Sequence, residues 1–107
     1  MATLTVQDIV RSGLNPSYAA AAGGGDEFAN DGKRTWLHVK NGGASPITVT
    51  LDITTTVDGQ TVTDRTVSVP AGEERMTGPF PVAYYGATVG VTYSAVTSVT
   101  VAAIRVP

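Results

Sequence analysis

The sequence contains no cysteine, which removes disulfide staples and thiolate metal sites from consideration. It contains one histidine, His38, so there is no His pair to hold a catalytic metal and no second imidazole to share acid–base work. Charged residues are 15% of the chain, against a typical share of about 25%. A surface so thinly charged tends to be covered by other subunits. The basic residues Arg11, Lys33, Arg34, Lys40, Arg65, Arg75 and Arg105 are scattered and the net charge is −2. That balance argues against a nucleic-acid interface built on many phosphates and against a polybasic membrane anchor. No stretch approaches the ~18 apolar residues of a membrane-crossing helix. The first residues, Met1–Leu14, lack a charged segment followed by a long apolar run, so no secretory signal is expected.

Recognisable catalytic motifs are also missing. Gly23-Gly24-Gly25 lacks the Lys-Ser/Thr ending of a phosphate loop. Asp26, Glu27 and Asp31 do not follow the spacing of a helix-loop-helix calcium site; the metal reading they leave open is a cation bridging subunits. Glu73 and Glu74 are adjacent, so on a strand they face opposite ways and cannot act as a carboxylate pair. His38 falls mid-strand, beside Trp36 and Lys40 on one face, and reads as a half-buried or interface histidine. No catalytic residue, metal ligand or cofactor is expected, and the chain is not expected to be an enzyme.

What is present is β-strand texture. The 107 residues, 42% of them hydrophobic, suffice for one domain. Ile47–Val57 alternates strictly, with Ile47, Val49, Leu51, Ile53 and Val57 on one side and a Thr-rich wet face on the other. Asp58-Gly59 is a tight-hairpin signal. The return strand, Thr61–Val69, slips phase between Val62 and Val67, as at a bulge. Arg34–Asn41, Glu73–Phe80 and a closing hairpin of Thr88–Ser94 with Ser98–Val106 complete about six strands. The expected fold is all-β: a single antiparallel β-sandwich, Greek-key, immunoglobulin-like or small jelly roll, over residues 34–107.

Residues 1–33 read differently, as an extended N-terminal arm. Thr5 and Asp8 resemble a capping box, with Leu4 and Ile9 placed as a staple and Gly13 at a C-cap position, so a short helix is expected at about 6–12. The Ala19–Gly25 stretch suits an extended segment lying against a partner's backbone, with Phe28 as its apolar anchor. Trp36, Tyr84 and Tyr85 are the aromatic surface candidates. Together the interface candidates are Leu4, Ile9, Tyr18, Phe28, Trp36, Phe80, Tyr84 and Tyr85.

Several stretches read together are the amphipathic start Leu4–Leu14, the segment Asn15–Ala21, and Asn30-Asp31-Gly32-Lys33 leading into Leu37–Asn41. Further on come Val69–Glu73, Gly78-Pro79-Phe80-Pro81 and Val91–Ser94. As an ensemble the chain resembles small β-sandwich capsid decoration, or cement, proteins of tailed bacteriophages and prophages. The resemblance implies a structural virion protein, made in the host cytoplasm. It would bind the outer surface of a capsid and stiffen the shell by bridging subunits, with the major capsid protein or another virion protein as partner and a homo-oligomer, often a trimer, as its own state. Another virion part (tail, head-completion or fibre-attachment domain) uses the same physics. A carbohydrate- or cell-surface-binding module with Trp36, Tyr84 and Tyr85 as stacking platform is the remaining alternative.

Overall fold

The computed structural model describes residues 1–107. The chain is mostly β-strand, with mixed sheets rather than purely antiparallel ones. Its strands are β1 (Ala2–Thr3), β2 (Val6–Asp8), β3 (Ala19–Ala20), β4 (Asp26–Ala29), β5 (Thr35–Asn41), β6 (Ile47–Leu51), β7 (Thr56–Val57), β8 (Gln60–Thr61), β9 (Arg65–Val69), β10 (Glu74–Thr77), β11 (Thr88–Tyr93) and β12 (Val99–Arg105). A one-turn helix, α1 (Val82–Tyr85), precedes β11. One five-stranded sheet runs β1-β4-β11-β6-β9; the second runs β10-β5-β12-β2, with β3 also on β12; β7 and β8 form a separate ribbon.

The alternating residues of β6 behave as their pattern requires: Ile47, Val49 and Leu51 are buried and Thr48 is exposed. They join Phe28, Val69, Val89 and Val91 from the first sheet and Leu37, Val39, Val99, Val101 and Ala103 from the second in one hydrophobic core. Phe80 fills the centre, its ring 5.6 Å from that of Phe28 and 5.2 Å from that of Tyr85. The strand expected over Ile47–Val57 stops at Leu51, where Ile53 N–H turns to the Asp64 carboxylate (2.9 Å). The phase slip in Thr61–Val69 marks the break between β8 and β9. Asp58 and Gly59 both take positive φ, 52° and 74°, as the tight β7–β8 turn demands.

The closing hairpin does not form. β11 pairs with β4 and β6, whereas β12 pairs with β5, β2 and β3 in the other sheet. Both strands carry Val at alternate positions, which drives each to bury one face but does not name its neighbour.

The first thirty-three residues correct the sequence reading most. The helix expected at about 6–12 is absent. Val6–Asp8 is a strand, parallel to β12 at Ala103–Arg105. A helix of that length is marginal by itself, and the open edge of β12 offers backbone partners instead. The acid assigned to the capping box, Asp8, grips Arg105 through two bonds of 2.8 and 3.0 Å. The Ala-rich segment also lies on the chain's own body: β3 pairs with Val101 and Thr100, and Ala21 N–H donates to Val99 O at 2.9 Å. β4 sits inside the first sheet, between β1 and β11, so residues 1–33 are woven into both large sheets and share their core.

Two buried asparagines bracket β5. Asn30 donates to Phe80 O (2.6 Å) and Gly86 O (3.0 Å) and accepts from Gly32 N–H (2.9 Å). Asn41 donates to Ser45 O (2.8 Å) and Val69 O (3.1 Å) and accepts from Gly43 N–H (3.0 Å). Each amide satisfies carbonyls that loops would otherwise bury unpaired. Asp26, almost wholly buried, accepts from the Tyr93 hydroxyl (2.7 Å) and from Ala22 N–H (3.2 Å).

Deleting residues 1–30 should abolish cooperative thermal unfolding, because it removes β4 and the core side chain Phe28; circular dichroism is the measurement. Tyr93→Phe should cost about 1–3 kcal/mol in denaturant unfolding by leaving the Asp26 carboxylate short of a donor. Burial and the neighbouring Asp26 carboxylate hold the Tyr93 phenol far above its ordinary value of 10.0. With the folded-state value above the unfolded one, this contribution is whole below about pH 10 and is lost as pH rises toward the folded value. The stability gap between wild type and Tyr93→Phe should therefore narrow in that alkaline window.

Candidate functional site

The outer face of the second sheet and one of its ends carry the side chains that chemistry or binding could use. On β5, Trp36, His38 and Lys40 share this face; opposite them stand Ile104, Ala102 and Thr100 on β12 and Met76 and Glu74 on β10. Residues 9–18 link β2 to β3 as a strap, its end held to this face by Tyr18 on His38. Its far end is fixed by a reciprocal pair: Gln7 Nε2 donates to Ser17 O (2.7 Å) and Ser17 N–H donates to Gln7 Oε1 (2.8 Å).

Beneath the strap runs a Tyr–His–Glu chain. The Tyr18 hydroxyl is 2.8 Å from His38 Nδ1, and His38 Nε2 is 3.0 Å from Glu74 Oε1. A carboxylate only accepts, so Nε2–H donates to Glu74, and Nδ1 pairs with the Tyr18 hydroxyl. The Tyr18 ring meets the imidazole edge-on at 5.4 Å, and Lys40 Nζ lies 3.9 Å from the Tyr18 ring centre, within cation–π range. His38 itself is buried. A relay of this kind can orient a hydroxyl. Four surface clefts, however, are lined by neither Tyr18 nor His38. Its evident work is to pin the strap. The β5 phase placed His38 and Lys40 on the Trp36 face; Glu74 and Tyr18 join them only through the β10–β5 register and the path of the strap.

At the end of the sheet where β5 begins and β12 and β10 finish, two clefts open. The first, about 390 Å³, is lined by Lys33, Arg34, Trp36, Met76, Pro79 and Val106 among others. The second, about 420 Å³, holds Arg65, Pro81 and Tyr84. They share the wall Thr77-Gly78-Pro79. Gly78 is required there: at φ +150°, an added Cβ would stand 2.8 Å from the Trp36 Cβ. The Trp36 indole nitrogen is the one buried side-chain polar atom without a hydrogen-bond partner.

Apolar side chains gather at this end. Of eight large hydrophobic residues that are exposed, Met76, Val106 and Tyr84 line the clefts. Val82 lies against Gly32, beside Lys33. Ile9, whose N–H donates to Arg105 O (2.8 Å), stands next to Val106 with Val10 following.

The interface candidates divide sharply. Leu4, Phe28, Phe80 and Tyr85 are in the core, where packing occupies their side chains. Tyr18 is held against His38. Ile9, Trp36 and Tyr84 remain at the surface and belong to the apolar end. With Tyr85 buried and Trp36 and Tyr84 in separate clefts, these aromatics do not form one stacking platform. Asp26 and Asp31, considered for a cation, serve the backbone instead: Asp31 accepts from Arg34 N–H (2.9 Å), Lys33 N–H (3.1 Å) and the Thr35 hydroxyl (3.2 Å). Those backbone donors, Arg34 first, hold its carboxyl below the ordinary value. No group of three or more His, Asp or Glu side chains converges as a metal site.

His38→Ala should release the strap rather than the core. Amide hydrogen exchange at residues 9–18 should accelerate by about tenfold or more, equivalent to losing one buried hydrogen bond, while exchange in β6 and β11 stays unchanged. No protein-family model matches the chain, and neither a curated protein nor a solved structure matches it.

Proposed function

We propose that this chain is a structural domain that acts by surface contact, attaching to the outer face of a phage-type capsid as a decoration protein, and that its two large sheets pack as a sandwich. The shared core of both sheets supports the sandwich reading, as does a shortest dimension of 20 Å, the depth of two layers about 10 Å thick.

The observation that carries the functional reading is the apolar end of the second sheet. Of the exposed large hydrophobic side chains, Met76 and Val106 line a cleft floored by Trp36, and Tyr84 lines the cleft that shares its Thr77-Gly78-Pro79 wall. Scattered apolar residues are ordinary, whereas a contiguous group rimmed by polar residues marks an interaction site. Trp and Tyr at such a place supply large contact area with little conformational freedom to lose. The strands of the N-terminal segment pair with the domain's own sheets, which leaves no free arm to lend to a partner. Attachment therefore falls to the preformed end surface, and repetition over a capsid lattice multiplies a modest contact. A homotrimer is the assembly that the resemblance to cement proteins implies.

The test uses shells of the major capsid protein from the genome that encodes this chain. The wild-type domain should co-sediment with them. Met76→Asp combined with Tyr84→Asp, both at exposed positions, should leave stability within about 0.5 kcal/mol and weaken co-sedimentation by about tenfold or more. Equal binding by the double variant, or none by the wild type, sinks the reading.

A further inference from the structure

The chain has a net charge of −2, yet the apolar end is rimmed by cations. Lys33 and Arg34 line the Trp36 cleft and Arg65 lines the Tyr84 cleft. None of the three has an ionic partner: the ion pairs are His38–Glu74, Arg75–Glu73 and Arg105–Asp8. Asp8 grips Arg105, and Asp31 accepts from the backbone N–H groups of Lys33 and Arg34. No Asp or Glu lines either cleft, so the charged side chains that line them are all cationic, beside an apolar floor of Trp36, Met76 and Val106. Three unpaired cations beside a hydrophobic floor match a ligand that is negative at its rim and apolar at its centre.

From this complementarity we infer that the apolar end receives an acidic segment of a partner protein, one that projects an apolar side chain onto Trp36 between flanking carboxylates at Lys33, Arg34 and Arg65. The inference rests on the contact-making role proposed above and gives its partner a chemistry. A protein segment fits better than a phosphate backbone, because the cleft floors are apolar and the cations are few and spread over two clefts, whereas duplex binding uses many phosphate contacts along a basic stripe.

Trp36 is the only tryptophan, so its fluorescence reports occupancy of the cleft directly. The probe is a short peptide of Asp and Glu around a central pair of leucines; its controls are the same peptide with Lys in place of the acids, a DNA duplex, and vesicles containing an anionic lipid. The acidic peptide should shift Trp36 emission saturably, and the affinity should fall with added salt. The triple variant Lys33→Glu, Arg34→Glu, Arg65→Glu should bind it about tenfold more weakly or worse, with an unchanged thermal midpoint showing that the variant is folded. Equal affinity for the Lys peptide, no saturable shift, an unaffected triple variant, or tighter binding of DNA or vesicles overturns the inference. So does sedimentation equilibrium showing this end buried between two copies of the chain, detected as a dimer that Met76→Asp dissociates. Capsid binding that depends on Met76 but not on the three cations leaves the contact-making role standing and removes this partner. Peptide binding without capsid binding does the reverse.

Discussion

The pairing of Thr35–Asn41 with Val99–Arg105 joins two seven-residue strands, matched residue for residue from opposite parts of the chain. Once that ladder forms, β12 has a second edge whose backbone groups need partners, since buried N–H and C=O groups are costly when unpaired. The leading residues of the chain provide them: β3 along one half of the edge and β2 along the other. The Asp8–Arg105 pair and the Gln7–Ser17 pair then hold those short segments in place. A parallel strand in this otherwise antiparallel sheet is the consequence. It explains why the N-terminal residues cannot be treated as an appendage.

The same ladder positions the surface that matters. Because β5, β12 and β10 alternate in direction, their ends bring Arg34, Val106 and Gly78-Pro79 to one rim of the sheet. Trp36 lies one residue pair inside that rim, opposite Ile104. Tyr18, packed on His38 and beside Lys40, covers the middle of the face. The apolar, cation-rimmed end is thus a by-product of strand polarity: no stretch of consecutive residues encodes it. Basic residues that look scattered along the chain converge there, and the buried Asp26 and the exposed Asp31, which look like candidates for chemistry, are hydrogen-bonded to loop backbone.

Burial patterns were legible in the sequence wherever one face of a strand had to be dry. Thr35, Leu37 and Val39 against Trp36, His38 and Lys40, the alternation of Ile47–Leu51, and the Asp58-Gly59 turn all follow from local chemistry, because period-two patterning and positive φ are properties of a few adjacent residues. All-β character follows equally from composition and turn spacing. The choice of strand neighbours does not, since Val-rich strands such as β11 and β12 are interchangeable in pattern; their assignment to different sheets was settled by the shared core. The helix expected at about 6–12 shows the limit from the other side: a seven-residue local preference is weak beside an unsatisfied sheet edge. The Tyr18–His38–Glu74 chain and the joint surface of Trp36, Met76, Val106 and Tyr84 are likewise tertiary. They depend on where strands from distant positions end, and side chains meet across a sheet only after register has been chosen.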